Sequence, residues 1–388
     1  MSNSTVADEQ STPKDSYEIR PYERADRDGV LKLDRIVWSR RRSPEWFAWK
    51  YEQNPYVSDL PIHVAEYEGE IVGARPLLAF RLRVGDSTQI ALQPADTMVH
   101  PDHRGRGLFT RMTEQAIERY ADREPTLFFN FPNRQAQPGY EKLGWREAGT
   151  RTTYYRIQNP EPLVSSLVDE RLDRYADVAS GVAGSVGSTL ASGFNAVHDW
   201  FADDRSHVSV RRRDDVPAEL LASLYRRAIP EKIHAVRDEA FYRWRFASPV
   251  WDRKTYLAEE DGDIVAAVIV RTRTNTDGVR WTQVAEVVPL GGGRRWLDAL
   301  ARLFGQLLSD HRRSHIVTVP GSVLPHEFLT ARGFRPNDRL PLSRLKSYHR
   351  TIAVRPIDDL DPESWRIDGV SLTDPSNWLV SYGERDTT

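Results

Sequence analysis

The chain contains no cysteine among its 388 residues. That one absence excludes disulfides, thiolate metal sites, iron–sulfur clusters and a cysteine nucleophile. No run of 18 apolar residues occurs either, so the sequence predicts no transmembrane helix. The N-terminal stretch Met1 to Ser16 is polar, lacks the apolar centre of a secretory leader, and reads as a disordered lead-in. Neither sign of charge dominates: 54 Lys and Arg against 56 Asp and Glu leave a net charge of −2. Charge alone therefore points to no nucleic-acid partner and no membrane surface. A soluble, cytoplasmic protein is expected. Against these absences, 11 Trp, 15 Tyr and 13 Phe supply ample core material, and the length favours two domains.

The first part of the chain alternates strand and helix patterns. Tyr17 to Pro21 reads as a strand and Asp26 to Val37 as a helix with Val30, Leu33, Ile36 and Val37 on one side. Ser43-Pro44-Glu45 has the order of a cap, a first-turn proline and an early acid, so a second helix should run through Trp46, Trp49 and Tyr51 until Asn54-Pro55 stops it. Ile62 to Tyr67 and Ile71 to Phe80 form a hairpin across Glu68-Gly69-Glu70. Thr88 to Val99 is a further strand region and Leu127 to Phe131 a buried strand. Gly139 to Leu143 is a short helix ended by Gly144, and Trp145 to Ile157 a closing strand pair. This is an α/β fold, a mixed sheet flanked by helices.

The same order returns further along. Glu239 to Trp244 echoes Glu45 to Trp49, and Tyr256 to Val270 repeats the hairpin around Glu260 to Asp263. Gln283 to Pro289, Trp296 to Leu308, His315 to Pro320 and Phe328 to Phe334 follow as strand, helix, strand and short helix. From Pro101 onward the offset is constant at 188 or 189 residues, as in Pro101 to Pro289 and Gly144 to Gly333. The expected domains are thus 17–157 and 206–350, two tandem copies of one fold. A helical or flexible linker at 158–205 joins them, and a polar tail with Trp365 and Trp378 follows from 351. Within the linker, 178–197 carries no charge, and Val178, Val182, Val186, Leu190 and Phe194 form one helical stripe. Such a stripe suits packing on a neighbouring domain or on another subunit of a homo-oligomer. A flexible Gly/Ser/Ala spacer accounts for the same composition. The sequence assigns the tail no role. Leu342 to Val354 can form a strand before it.

Chemistry concentrates in Val99-His100-Pro101-Asp102-His103-Arg104-Gly105-Arg106-Gly107-Leu108-Phe109. An apolar stretch ends at a proline, a basic glycine turn follows, and a helical pattern starts at once with Phe109, Met112, Ala116 and Tyr120. The free N–H groups and positive dipole end of that helix favour an anion. Gly105 and Gly107 keep side chains out of its way, and Arg104 and Arg106 add charge. A phosphate-binding P-loop would need Lys-Ser/Thr after its last glycine, where Leu108-Phe109 stand. A dinucleotide fingerprint would need a third glycine at 110. An acyl-CoA turn, or a plain basic surface turn, is left.

The stretch resembles motif A of the GNAT (Gcn5-related) N-acetyltransferase superfamily, Q/R-x-x-G-x-G/A. Arg104 and Gly107 take its first two fixed positions, and Phe109 departs from the usual small residue. Phe131-Pro132-Asn133 with Gln137-Pro138-Gly139-Tyr140-Glu141-Lys142-Leu143-Gly144-Trp145 is similar to motif B of the same superfamily. The resemblance implies acetyl-CoA as co-substrate, with its pyrophosphate on Arg104, Gly105, Arg106, Gly107, Leu108 and Phe109. It implies that the strand of motif A splays from the next, so that backbone groups of Met98 and Val99, and Asn133, meet the pantetheine arm. Tyr140 carries over as the general acid; a phenol of pKa about 10 holds its proton at pH 7 and can pass it to a thiolate. The general base of the family is often a carboxylate on the strand before motif A. Asp96 lies there and shares a face with Met98. A hydrogen-bonded structural role for Asp96 stays open, as do His100, His103 or water as the base. No carboxylate–histidine cluster has metal-ligand spacing, so no metal is expected.

The acceptor is expected over the first two helices, near Trp38, Trp46, Trp49, Tyr51 and Arg40 to Arg42, though ordinary core is the alternative reading for the aromatics. The second copy has Gly292, Arg295, Leu329 and Val284 at the places of Arg104, Gly107, Tyr140 and Asp96, so it reads as degenerate. The motif-B pattern looks closest to GNAT proteins of surface-sugar biosynthesis, which implies an amino-sugar acceptor. The expected activity is N-acetyltransfer to a small amine by direct transfer in a ternary complex. An aminoacyl transferase of FemAB type, which also pairs two GNAT folds, and a non-catalytic CoA-binding sensor or scaffold are the rivals.

Overall fold

A computed structural model describes residues 17–122, 124–159, 207–276, 278–339, 350–359 and 361–386. The expectations for the N-terminal lead-in, for the 178–197 stripe and for the 342–349 part of the Leu342 to Val354 strand lie outside these residues. In chain order the first part contains β1 (Glu18–Pro21), α1 (Arg27–Trp38), α2 (Pro44–Phe47), β2 (Ile62–Tyr67), β3 (Glu70–Val84), β4 (Ser87–Pro94) and β5 (Met98–Val99). Then come α3 (Leu108–Arg119), β6 (Leu127–Asn130), α4 (Gln137–Lys142), β7 (Arg146–Arg151) and β8 (Thr153–Ile157). The second part contains β9 (Ser209–Arg213), α5 (Ala218–Arg227), β10 (His234–Ala235), α6 (Glu239–Arg245), β11 (Asp252–Glu260), β12 (Asp263–Thr274) and β13 (Arg280–Val288). It ends with α7 (Arg294–Asp310), β14 (Ile316–Pro320), α8 (His326–Thr330), β15 (Arg335–Pro336) and β16 (Arg350–Pro356).

Local signals place these elements. Ser43 caps α2 by accepting from the Trp46 N–H at 3.2 Å, and Pro44 occupies the first turn, where no N–H is needed. One π-helical turn, Ala48–Glu52, continues α2 and widens the spacing just where Lys50 and Tyr51 turn inward. Helix α7 buries Trp296, Ala299, Leu300, Leu303, Phe304, Leu307 and Leu308, a three-and-four spacing along one face. Burying each large side chain of that stripe contributes roughly 1.5–3 kcal/mol.

Two mixed sheets result. The first runs β1-β2-β3-β4-β6-β16-β7, the second β15-β8-β14-β13-β12-β11-β9. Each contains one parallel pair, β4 with β6 and β13 with β14, and a helix bridges each pair, α3 in one case and α7 in the other. In both sheets the parallel pair is flanked by antiparallel strands on either side.

The ends of the sheets differ from expectation. Trp145 to Ile157 does not fold as a closing pair. Strand β7 stays in the first sheet, but β8 crosses to the second and lies between β14 and β15. The vacated place beside β6 and β7 is taken by β16 from the far end of the chain. The single residue Thr152 between β7 and β8 is too short a loop for a hairpin, so the chain continues into the neighbouring sheet. Each unit therefore supplies a strand to the other.

Other contacts join the units. Trp49 Nε1 donates to the Trp244 carbonyl at 2.7 Å, and Trp244 Nε1 donates to the Trp49 carbonyl at 3.0 Å. This reciprocal pair links the echoed segments 45–49 and 239–244. Strand β10 adds to the edge of β3, with Ala235 opposite Leu82. The polar tail of the sequence reading is in fact packed: Trp365, Leu372, Trp378, Leu379, Val380 and Tyr382 are all buried. Its apolar residues are spaced too irregularly to read as helix or strand. Among the described residues no helix is long and apolar enough to cross a membrane.

Candidate active site

The sheet opens where β4 gives way to β5. Strand β4 pairs with β3 as far as Pro94 opposite Leu77, and the ladder resumes with Met98 opposite Ala74. Between them Asp96 adopts φ 43°, a left-handed conformation uncommon for a non-glycine residue. Past this kink β5 pairs only with β3, whereas β6 pairs with β4 and β16. The edge of β5 that faces β6 is thus unpaired by any described strand. Met98 and Val99 provide that edge, the expected place for an extended amide-bearing chain.

Beyond β5, Pro101–His103 forms a 3₁₀ turn, and Gly105 and Gly107 follow at φ 75° and 74°. Glycine is required there by backbone conformation. A Cβ on either would meet no atom within 4 Å, so the space above the turn is open. Gly107 is the N-cap of α3; no side chain caps the helix and no acid lies in its first turn. The first N–H groups of α3, at the positive end of the dipole, therefore face open space, which suits a pyrophosphate. Arg104 is exposed at the rim, with Nε 3.3 Å from the Val99 carbonyl, and Arg106 lies 5.9 Å from the Tyr17 ring. His103 hydrogen-bonds Tyr17 through Nδ1 at 2.9 Å, and His100 Nδ1 accepts from the Asp102 N–H at 3.3 Å. Both histidines serve the turn. Burial, then the charges of His100 and Arg106, lower the pKa of His103.

Helix α4 faces α3 across this opening. Leu108 points into the core, while the Phe109 ring packs edge-on to Tyr140 with centroids 5.3 Å apart. Gly139 permits the approach, since a Cβ there would lie 2.9 Å from the Phe109 ring. The bulky residue at the family's small position is thus matched by a glycine on the facing helix. Tyr140 is buried against Phe109 and Trp145, and its hydroxyl accepts from Arg75 Nη1 at 3.5 Å. Asn133 is exposed, and its Oδ1 accepts from the Ala136 N–H at 2.8 Å in the turn that leads into α4.

On the other side of the kink, Asp96 is held by residues of α2 and its π turn. Lys50 Nζ, almost fully buried, donates to Asp96 Oδ2, and the Tyr51 hydroxyl donates to the same oxygen at 2.8 Å. Arg40 lies 3.8 Å from the other oxygen. Burial works against ionisation of Asp96, but Lys50, Arg42 and the Tyr51 hydrogen bond outweigh it and lower its pKa. Asp34 of α1 behaves oppositely. It is buried, its Oδ1 has no hydrogen-bond partner, and burial followed by the charge of Asp96 raises its pKa. Lys50 and Asp34 escaped the sequence reading because their only signal is a charged residue inside an amphipathic segment. Trp46, Trp49 and Tyr51 are core side chains, each no more than 3% exposed, so no acceptor stacks on their faces. Of the expected aromatic group only Trp38 is open, at 38%.

The corresponding turn in the second unit is closed only at its middle glycine: a Cβ at Gly291 or Gly293 would meet no atom within 4 Å, and Gly293, like Gly107, is an N-cap with no side-chain cap and no acid in the first turn. A Cβ at Gly292 would lie 2.6 Å from Trp296, whose indole N–H donates to the Pro289 carbonyl at 3.1 Å. Arg295 pairs with Glu260, Leu329 is fully buried, and Val284 is core. Strands β13 and β14 pair only from Trp281 to Gln283. Where they part, the C-terminal segment fills the gap. The Tyr382 hydroxyl donates to Thr318 Oγ1 at 2.8 Å, and Ser381 Oγ lies 3.3 Å from Glu286 Oε2.

Residues 18–148 match the family model of the GNAT acetyltransferase domain. No curated protein sequence matches the chain. Among solved structures the chain is similar to a GCN5-related N-acetyltransferase from Anabaena variabilis, with a TM-score of 0.59 at 10% identity over 88% of this chain and 73% of that one. A probable N-acyltransferase from Enterococcus faecalis gives 0.60 at 11% identity over 88% and 72%. A GCN5-related N-acetyltransferase from Kribbella flavida gives 0.53 at 15% identity over 88% and 71%. At such identities the likeness shows the fold alone, and it extends over both sheets.

Proposed function

From the premise that the chain carries a GNAT acetyltransferase domain at residues 18–148, we propose that it transfers the acetyl group of acetyl-CoA to a small amine in a ternary complex. The observation that carries this reading is the open sheet edge at Met98 and Val99 together with the uncapped, unobstructed helix start at Gly107. An aminoacyl transferase using aminoacyl-tRNA has no need of that turn, and a sensor has no need of Tyr140 beside it. In this reading Arg104, Gly105, Arg106, Gly107, Leu108 and Phe109 form the pyrophosphate cradle, and Tyr140 protonates the departing sulfur. Asn133 acts through the turn that leads into α4, where its side chain accepts from the Ala136 N–H.

The two buried carboxylates divide the remaining work. Asp96, ionised and bound by Lys50 and Tyr51, is a weak proton acceptor; it fixes the kink and presents a constant negative charge to the incoming ammonium. Asp34, with an unpartnered oxygen and a raised pKa, is the better acceptor for the amine's proton. Paired groups driven apart in pKa commonly mark such an assignment. The acceptor class to test first is the amino sugars. The second unit, with its strand gap filled by the C-terminal segment, supports the first and binds no second CoA. The cell interior, where acetyl-CoA is made, is the proposed setting.

Thiol release from acetyl-CoA in the presence of a panel of amines, amino sugars included, with mass spectrometry of the products, tests the reading. An amine heavier by one acetyl group is expected. Aminoacylation from charged tRNA without acetyl-CoA turnover, or tight CoA binding with no product from any amine, would replace it with one of its rivals.

A further inference from the structure

Two of the buried guanidinium groups, Arg237 and Arg75, have opposite surroundings. Arg237 is fully buried and flanked by Glu286 at 3.0 Å and by Glu384. Arg75, on β3, is 1% exposed, yet among the described residues no carboxylate lies within ion-pair distance of it. Its Nη1 donates to Thr97 Oγ1 at 3.3 Å and to the Tyr140 hydroxyl at 3.5 Å. Its charge lies over the rings of Phe109 and Tyr140, 5.1 and 5.3 Å from their centroids. Its Nε has no partner. The opposing residue on β2, His63, offers no negative charge: burial, with Arg119 and Arg75 adding to it, pushes its pKa down to about 4. Two aromatic faces and two neutral oxygens offset only part of the cost of burying a cation. The uncompensated charge sits beside the hydroxyl to which the acyl-transfer reading gives the proton, on the face of the sheet that carries α3 and α4.

We propose that Arg75 is a positioning residue for acyl transfer, holding Tyr140 by a hydroxyl lone pair and stabilising the negative charge that develops on the phenol oxygen as its proton leaves. The proposal rests on the acyl-transfer reading of the site. In the step concerned the amine nitrogen bonds to the carbonyl carbon, and the carbon–sulfur bond breaks with its electron pair on sulfur. The Tyr140 proton moves to that sulfur. The proton given up by the amine restores the phenol by way of the buried carboxylates and solvent, so that nothing is gained or lost overall. Because Tyr140 accepts from Arg75, its own O–H is free to point at the sulfur. As the proton leaves, the negative charge on the phenol oxygen lies next to a cation that needs no reorganisation to meet it.

The test compares Arg75→Met, Arg75→Lys, Tyr140→Phe and the double variant Arg75→Met/Tyr140→Phe. The readouts are single-turnover thiol release from acetyl-CoA with the accepting amine, the Kd of CoA, and thermal unfolding. Arg75→Met is expected to lower the rate by about 10²-fold, the scale of losing one preorganised donor, with CoA affinity nearly unchanged. Arg75→Lys restores part of the rate. The midpoint of unfolding should hold or rise in Arg75→Met, because the variant removes an uncompensated buried charge. The double variant should be little slower than Tyr140→Phe, since Arg75 acts through that hydroxyl. Wild-type rate in Arg75→Met, or rate losses that multiply in the double variant, overturns the proposal and leaves acyl transfer standing. A wild-type protein that neither binds nor consumes acetyl-CoA overturns both.

Discussion

The two units part their parallel strands in the same way and then do opposite things with the gap. In the first, Asp96 breaks the edge of β4, β5 swings off with only β3 for a partner, and the glycine turn before α3 is left open. In the second, a bulge at Ala285 interrupts the ladder of β13 at the equivalent place, Trp296 lies against Gly292 while Gly291 and Gly293 stay open, and Ser381 and Tyr382 bridge the separated strands. Topology produces the opening twice; the side chains and the chain's own C-terminal segment decide whether a ligand can enter. The comparison also separates two ways of charging such a gap. The filled one balances Arg237 against two carboxylates, whereas the open one keeps Arg75 without a counter-charge.

The comparison breaks first at the tyrosines. Tyr140→Phe keeps the ring between Phe109 and Trp145 and removes only the hydroxyl. Loss of a general acid costs about 10²–10⁴-fold in rate, and it should fall on kcat, with KM for acetyl-CoA near wild type. A Tyr140→Phe enzyme with full kcat when chemistry limits the rate would assign the proton to water or another group. Titration calorimetry of the same protein should find one CoA per chain. A second equivalent site would show that the filled cleft opens in solution.

The glycine turns sharpen it next. Gly107→Ala forces a side chain into left-handed backbone, a strain of about 1–3 kcal/mol, and points its methyl into the open space above the turn. CoA affinity should drop by about tenfold or more. Gly292→Ala instead drives a methyl into Trp296. That variant should unfold at lower temperature and bind CoA as well as wild type does. Equal effects of both substitutions on CoA affinity would remove the distinction between the two turns.

Much of the first unit was legible because its signals are local. The cap at Ser43, the glycine of the hairpin turn and the apolar runs of β2 and β3 each sit within a few residues. The exchange of β8 and β16 was not legible, because either strand pairs equally well with its own sheet by pattern alone. What decides is the length of the loop at Thr152, which forbids a hairpin, and the late arrival of 350–356 at the vacant edge. Motifs A and B were visible by spacing. Arg75 was not: an arginine within Gly73-Ala74-Arg75-Pro76-Leu77 looks like a solvent-facing break in an apolar strand, and only the packing of α3 and α4 over it reveals a buried charge. Asp96 was singled out from sequence, but its partner Lys50 was hidden in the π turn.

The filled cleft has its own pH dependence. Burial raises Glu286 from the ordinary 4.5 to about 7, with Glu384 adding to the rise and Arg237 opposing it. Burial also acts to raise Glu384, but Arg237 and the Ser381 and Ala235 N–H groups bring it down to about 2. The signs oppose each other. Glu384 contributes stability above pH 4.5 that is lost as pH falls toward 2; Glu286 holds its proton more tightly when folded, so stability falls as pH rises from 4.5 through 7. Besides Arg237, the groups facing this pair are Ser381 and Tyr242. Amide protection at 381–384, corrected for intrinsic exchange, should be greatest near pH 4.5 and decline toward pH 7. Glu286→Gln should abolish the decline. A flat profile in the wild type would mean that the segment is held by its apolar contacts and not by the carboxylates.

The smallest effect expected is at Tyr382, and it bears most directly on what the second cleft is for. Its hydroxyl donates to Thr318 on β14, while its neighbour Ser381 meets Glu286 on β13, so the two residues tie the parted strands together. Tyr382→Phe keeps the buried ring and removes one neutral hydrogen bond, a loss of about 0.5–1.5 kcal/mol. Thr318 keeps a second contact, from the Trp281 indole at 3.2 Å, so the variant leaves no wholly unsatisfied oxygen and the loss belongs at the low end of that range. Thermal unfolding should shift by a few degrees or less. Catalysis should not change, because the first unit meets this segment beyond Tyr382, where Gln93 Nε2 donates to the Glu384 carbonyl at 2.7 Å and Lys50 to the Asp386 carbonyl at 2.8 Å. A Tyr382→Phe protein with wild-type stability but altered kcat would reverse the assignment: the segment would then be transmitting the state of the filled cleft to Lys50 and Asp96, and the second unit would be a control element of the first, not its support.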